Sequence, residues 1–151
     1  MFTTVSVREG PQAAWLDRLV SATVAACAIG CTVLLLAVTP DGKGYDTHTQ
    51  LGMRPCSWPL TMGIPCPTCG ATTAACYLVH GRPWSAFVTQ PFGATVAFLG
   101  LCAGVLALFC LFRGRSFLQL WSRVSIASIV VYGSLLLLAS WLYKYLMFAA
   151  P

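Results

Sequence analysis

Phe92-Gly93-Ala94-Thr95-Val96-Ala97-Phe98-Leu99-Gly100-Leu101-Cys102-Ala103-Gly104-Val105-Leu106-Ala107-Leu108-Phe109-Cys110-Leu111-Phe112 runs without a charged residue. A helix needs roughly 20 apolar residues to cross about 30 Å of hydrocarbon, and this run supplies them. Inside a bilayer the backbone must satisfy its own hydrogen bonds, so a continuous apolar run of this kind is helical. Two further runs have the same character, from Leu19 to Val38 and from Val124 to Tyr143. The sequence therefore predicts an all-α membrane protein with spans at about 19–38, 92–112 and 124–143. The remainder, 39–90, holds a cysteine-rich loop followed by a short re-entrant or interfacial helix, and residues 1–151 form a single membrane domain.

The bulk composition agrees with this reading. Hydrophobic residues make up 58% of the 151 and charged residues 9%, whereas a soluble domain carries about 25% charged residues. An all-round apolar soluble bundle is the competing interpretation, but the few charges avoid the three runs. A cleaved signal peptide is the alternative for the first run. That run is longer than the usual core of about 7–15 residues. Its exit, Leu36-Ala37-Val38-Thr39-Pro40, lacks a small-x-small cleavage site, so a retained anchor is expected.

The formal charge is +5, and the basic residues sit beside the spans. That placement suits lipid headgroups and topology rather than nucleic acid, for which a basic stripe with interleaved aromatics is absent. Arg8, Arg18, Arg113, Arg115 and Arg123 cluster at one end, five basic residues against four, with Lys43, Arg54 and Arg82 spread over the long loop. The positive-inside rule then puts the N-terminus in the cytoplasm and the cysteine-rich loop outside. An oxidising compartment would permit disulfides there. The acidic residues, Glu9, Asp17, Asp41 and Asp46, lie outside the apolar runs, so no carboxylate relay through the membrane is expected. Walker, Rossmann, H-E-x-x-H and G-x-S-x-G patterns are all missing.

The loop opens with a polar stretch broken by Pro40, Gly42 and Gly44. Residues 55–70 carry Pro55, Pro59, Pro65 and Pro67 among Trp58, Leu60, Met62 and Ile64, which reads as a stiff, apolar, non-helical segment. A helix is expected next, with Pro67 suited to its first position and Ala71–His80 as its body. Gly81 and Pro83 end it. Trp84–Gln90 forms a second short segment, and Pro91 opens the following span.

Eight cysteines fall into two groups. Cys27, Cys31, Cys102 and Cys110 lie in the spans and read as small buried hydrophobes. Cys56, Cys66, Cys69 and Cys76 belong to the loop or its helix. Cys66 and Cys69 make a C-x-x-C pair, a spacing that suits a redox disulfide or the ligation of one metal. Near a helix N-terminus the dipole would favour their thiolates. Cys69, Thr73, Cys76 and His80 fall on one helical stripe, either a groove lining or a small-residue packing face. Cys76 and His80 are four apart and could pair, as thiol and base or as a helix-end contact. Cys69 and His80 are about 16 Å apart along a helix, so they cannot share a zinc ion. A metal site would have to combine Cys56, Cys66 and Cys69 with His48, and no second C-x-x-C is present.

The run Gly63-Ile64-Pro65-Cys66-Pro67-Thr68-Cys69-Gly70-Ala71-Thr72 resembles the Gly-x-Pro-Cys-Pro-x-Cys-Gly-x-Thr box of an uncharacterised bacterial integral-membrane family, a domain of unknown function. The resemblance covers roughly residues 50–110, from the upstream Cys56 through His80-Gly81 to Pro91 and beyond. Two positions depart from the family's pattern. Thr73 stands where many members carry Arg, and Gln90-Pro91 where Asn-Pro is common. The resemblance implies a bacterial inner (cytoplasmic) membrane location and supplies no activity.

Three functions fit these residues. The first is a small membrane protein whose C-x-x-C loop acts as a structural disulfide or interaction element. The second is a membrane thiol–disulfide oxidoreductase using Cys66 and Cys69 with Cys56 as relay, for which a quinone is a candidate cofactor. The third is a zinc-binding module. The lipid bilayer is the expected partner, together with a membrane-protein partner or a second copy of the chain. The first function is the expectation carried forward, because the spans lack polar groups and the chain lacks an acid–base set.

Overall fold

The computed structural model describes residues 11–121 and 124–149, so Arg8, Glu9 and Arg123 lie outside the described residues. Helices alone are formed among the described residues. They are α1 (Pro11–Leu36), a 3-10 turn (Thr47–Leu51), α2 (Ser57–Met62), α3 (Ala71–Val79), α4 (Pro83–Thr89), α5 (Pro91–Arg113), α6 (Phe117–Trp121) and α7 (Ile126–Ala149). Three stretches, Ala14–Leu36, Pro91–Arg113 and Ile126–Phe148, are long and apolar enough to cross a membrane. At about 1.5 Å per residue, each of these spans reaches roughly 35 Å. The expected fold class is therefore the observed one.

The outer helices run further than their apolar runs. α1 starts at Pro11 and takes in Asp17 and Arg18, and α7 continues past Tyr143 through Lys144 to Ala149. The charges do not end these helices because Asp17 and Lys144 are buried and hydrogen-bonded. The expectation that the spans are free of polar groups is corrected accordingly. The Asp17 carboxylate accepts from Ser116 Oγ (3.1 Å) and from the backbone N–H groups of Phe117 (3.2 Å) and Leu118 (2.8 Å). It thereby caps α6, a helix the sequence did not suggest. Free N–H groups at the start of a helix require such an acceptor.

Contact between α1 and α5 is the most extensive in the fold. Small residues allow it, as in membrane helix pairs generally. Gly104 faces Ala28 so closely that an added methyl would overlap the alanine side chain. Ala25, Ala107, Cys110 and Phe117 form the core at the α6 end. At the other end Ala74, Ala86 and Ala94 join α3, α4 and α5, and Gly93 lies 2.6 Å, measured from a virtual Cβ, from Ala71 Cα. Large side chains such as Val33, Val105, Phe112, Leu138 and Leu146 point outward, where lipid belongs. Of the cysteines expected to be buried in the spans only Cys110 is; Cys27, Cys31 and Cys102 face outward. Their small size leaves them tolerated on either side of a helix.

Two expectations for the loop also change. Residues 57–62 form α2 despite four prolines between 55 and 67. Pro55 precedes that helix and Pro59 sits in its first turn, where no intrahelical N–H is needed. α3 begins at Ala71, not at Pro67. Gly70 holds φ +88°, a left-handed conformation that cannot continue a right-handed helix, and Cys66–Gly70 forms turns closed by Cys69 N–H to Cys66 O (2.9 Å) and Ala71 N–H to Thr68 O (3.0 Å).

Replacing Gly104 by Leu is expected to force α1 and α5 apart and cost about 1–3 kcal/mol. Gly100, on the same helix with open space around it, should accept Leu with little change. Reversible unfolding of both variants in detergent or bicelles checks the contrast, and equal losses would refute the α1–α5 packing.

Candidate functional site

The loop sits at the end of the bundle where α1 finishes, α5 begins and α7 finishes. Its irregular backbone is held by side chains from the spans. Trp141 Nε1 donates to Pro65 O at 2.9 Å. Gln90, fully buried, donates through Nε2 to Pro67 O at 3.2 Å, and its Oε1 accepts from Gly93 N–H to cap α5. Tyr143 Oη donates to Val88 O at 2.8 Å. The buried Lys144 ammonium donates to Gly44 O and Thr89 O, both at 3.1 Å. Every polar group named here would otherwise lose its partner on leaving water.

These ties hold both prolines of the box, and Lys144 holds the Gly44 carbonyl that Gly70 packs against. Gly70 is required twice: for its positive φ, and because a Cβ there would strike Gly44 O. Asp46 also has a positive φ, 66°, which an aspartate tolerates better than most residues. Its Oδ1 accepts from Cys56 N–H at 3.3 Å, drawing Cys56 toward the box. Thr73, at the position where the resemblance led one to look for Arg, is buried and hydrogen-bonded to Thr47 Oγ1 at 2.8 Å.

A cavity of about 220 Å³ results. Cys56, Cys66 and Cys69 all line it, with Asp46, His48, Thr68 and the α3 residues Thr72 and Thr73. Of the sequence candidates, the structure thus brings together Cys56, Cys66, Cys69, His48 and Thr73. Cys76 and His80 stand apart. Cys76 is fully buried and its thiol donates to Leu35 O and Val38 O at 3.4 Å, satisfying carbonyls at the end of α1. His80 Nδ1 lies 2.8 Å from Cys76 O, an arrangement in which that nitrogen carries the proton. It is therefore not a base for the Cys76 sulfur 3.7 Å away. Of the stripe Cys69, Thr73, Cys76 and His80, for which a groove lining and a packing face were both open, Cys69 and Thr73 line the cavity and Cys76 packs against the end of α1.

The three cavity thiols are not equivalent. Burial pushes the Cys69 thiol up to about 12, with the neighbouring Cys66 and Cys56 adding to it. Burial also raises Cys56, and Cys66 is the neighbouring thiol that acts on it directly. Cys66 is half-buried, with its sulfur 3.8 Å from Thr68 Oγ1. The helix-terminus argument for a stabilised Cys69 thiolate is corrected: Cys69 precedes Gly70 in a turn and is buried, so desolvation dominates over any dipole. His48 Nε2 lies 3.0 Å from Arg54 O, which assigns its proton to Nε2 and leaves Nδ1 as the acceptor in the neutral ring. Among the described residues no three His, Cys, Asp or Glu side chains converge tightly enough to hold one metal ion. All eight cysteines are free thiols.

Asp46, Thr68 and Lys144 escaped the sequence reading. Asp46 and Thr68 sit in ordinary loop contexts with no spacing signal. Lys144 had one: a lone cation between Tyr143 and Tyr145 near the end of an apolar run. Such a residue is expensive in a membrane unless it has internal partners.

Residues 56–105 match a family described as a protein of unknown function (DUF2752). The matched segment begins at Cys56, includes the box, α3 and α4, and ends within α5. It supports the resemblance to a domain-of-unknown-function family and assigns no activity. Neither a curated protein nor a solved structure matches the chain.

A thiol with its ionisation near 12 is almost wholly protonated at pH 8, and its reaction with a maleimide should rise about tenfold per pH unit. Cys69 is expected to label at least about a hundredfold more slowly than a free cysteine at that pH, and more slowly than the half-buried Cys66. Quantitative peptide mass spectrometry of the native protein in nanodiscs measures both rates, and equal labelling would contradict the burial.

Proposed function

We propose that this chain is a membrane thiol–disulfide exchange protein, with Cys66 as the attacking sulfur and Cys56 as the resolving one. The observation that carries the reading is the meeting of Cys56 and Cys66, ten residues apart in sequence, as neighbouring thiols in one cavity. The structural-staple expectation has less support, because hydrogen bonds from Trp141, Gln90, Tyr143 and Lys144 already hold the loop. Zinc binding lacks a convergent ligand set among the described residues.

The chemistry requires a partner that carries a disulfide. The Cys66 thiolate attacks one sulfur of that disulfide, and a new S–S bond forms as the old one breaks. The partner's second sulfur leaves as a thiolate and takes a proton. Cys56 then gives up its proton and attacks Cys66 Sγ; the Cys56–Cys66 bond forms, the mixed disulfide breaks, and the partner's first sulfur leaves as a thiolate that takes the proton. The products are a Cys56–Cys66 disulfide and a partner with two thiols, and two electrons have passed from the chain to the partner. The reverse reaction oxidises a dithiol partner; relative reduction potentials set the direction. Thr68 Oγ1 can donate to the Cys66 thiolate, and His48 Nδ1 offers a proton acceptor on the same cavity wall.

Arg18, Arg113 and Arg115 lie at the end of the bundle opposite the cavity. In a bacterial inner membrane that charge arrangement faces the cavity outward, where disulfide-bearing partners occur.

Mild oxidation with glutathione disulfide should give a Cys56–Cys66 linkage as the first intramolecular product. The Cys56→Ser variant should accumulate a glutathione adduct at Cys66. Mapping by mass spectrometry after acid quench decides the matter: an adduct on Cys69 in preference to Cys66, or no reaction of either thiol, would remove the exchange reading.

A further inference from the structure

The Lys144 ammonium is buried among Gly44, Gly70 and Thr89, and its Nζ would lie 3.3 Å from a Cβ on either glycine. Two of its three protons are taken by the carbonyls of Gly44 and Thr89. Those acceptors are neutral. Cys69, the residue before Gly70, is the ionisable group that acts on Lys144, and Lys144 acts on Cys69 in return. A cation at this depth in α7 is costly to keep without a negative partner. Glycine at both 44 and 70 keeps the space around Nζ open, and at Gly70 any side chain would also collide with the Gly44 carbonyl.

Building on the exchange reading above, we propose that Lys144 is a positioning residue that supplies the counter-charge for the Cys69 sulfur, so that Cys69 accepts the disulfide from Cys56–Cys66 and the oxidised pair moves inward to Cys66–Cys69. The step needs no further oxidant. The Cys69 sulfur, giving up its proton, attacks Cys66 Sγ. The Cys66–Cys69 bond forms, the Cys56–Cys66 bond breaks, and the Cys56 sulfur leaves as a thiolate that takes the proton. The charges and titratable groups around Cys69 are Cys66 and Cys56 from the loop, which oppose its ionisation, Asp46 and His48 lining the same cavity, and Lys144 from α7, which favours it. Burial keeps Cys69 protonated at rest, and Lys144 stabilises the negative charge that appears on its sulfur only during attack. The first pair is the more accessible and the second the more shielded: Cys56 and Cys66 are half-buried, Cys69 is buried.

Lys144→Gln separates charge from hydrogen bonding, because the amide can still donate to the loop carbonyls. With the full chain in nanodiscs, oxidised by glutathione disulfide to the Cys56–Cys66 form, the appearance of Cys66–Cys69 is followed at pH 7 to 10. Maleimide labelling of Cys69 is measured in parallel on the reduced protein. Lys144→Gln is expected to slow both the transfer and the labelling of Cys69 at pH 9 by about tenfold or more, corresponding to one pH unit of ionisation. Formation of Cys56–Cys66 should keep its wild-type rate. A lysine that merely holds the loop predicts otherwise: the glutamine variant would match wild type, and Lys144→Met would expose Cys69 and label it faster at every pH. Either of those results overturns the proposal. A wild-type protein that forms Cys56–Cys66 but never Cys66–Cys69 overturns the relay and leaves the exchange reading standing, whereas failure to form Cys56–Cys66 removes both.

Discussion

An irregular chain segment packed against a membrane bundle carries carbonyl groups that neither water nor a helix can satisfy. In this protein the solution comes from α5 and α7. Trp141, Tyr143 and Lys144 project donors from α7 toward the loop, and Gln90 bonds the box from the threshold of α5. Ser140 accepts from Phe92 N–H at 3.0 Å and fastens the same part of α7 to the start of α5. The position of the box against the bundle follows from these bonds. Pro65 and Pro67 are held from behind, Gly70 turns the chain into α3, and the cysteines between them are left facing the cavity.

Holding a loop through its carbonyls has a chemical consequence. The side chains of the held residues take no part in the attachment, so thiols can be presented without being needed as staples. Cys76 shows the opposite case. Its sulfur is spent on the carbonyls of Leu35 and Val38 and is fully buried, and it contributes to the joint between α1 and α3. The contrast between Cys76 and Cys66 is one of position alone, since both are free cysteines within one short stretch of chain.

The two ends of the bundle use polar residues in complementary ways. At one end the Asp17 carboxylate gathers the N–H groups of α6, and at the other the Lys144 ammonium gathers carbonyls of the loop. Each charge lies inside a span-forming helix and is buried by the backbone it serves. Between them the contact of α1 with α5 depends on small residues, Gly104 against Ala28 above all, and the wide apolar faces are turned to lipid.

Long apolar runs determined the three spans on their own, because hydrocarbon thickness and backbone hydrogen bonding leave no other form for them. The prolines between 55 and 67 likewise marked the approach to the box as stiff and apolar, and Cys56 could be grouped with it from sequence. What the sequence left open was decided by contacts between distant residues. Local spacing puts Cys66 with Cys69, and the fold adds Cys56 beside Cys66, because Asp46 draws the Cys56 backbone in from ten positions away. A helix start at Pro67 was plausible locally, but Gly70 must turn left-handed to pass the Gly44 carbonyl, which belongs to another part of the loop. Lys144 looked like the end of an apolar run and proved to be a buried cation, since its carbonyl partners lie 100 and 55 residues away. Periodicity and length act along the chain and can be read from it; burial, and with it the ionisation of Cys69, depends on what the folded chain places around a sulfur.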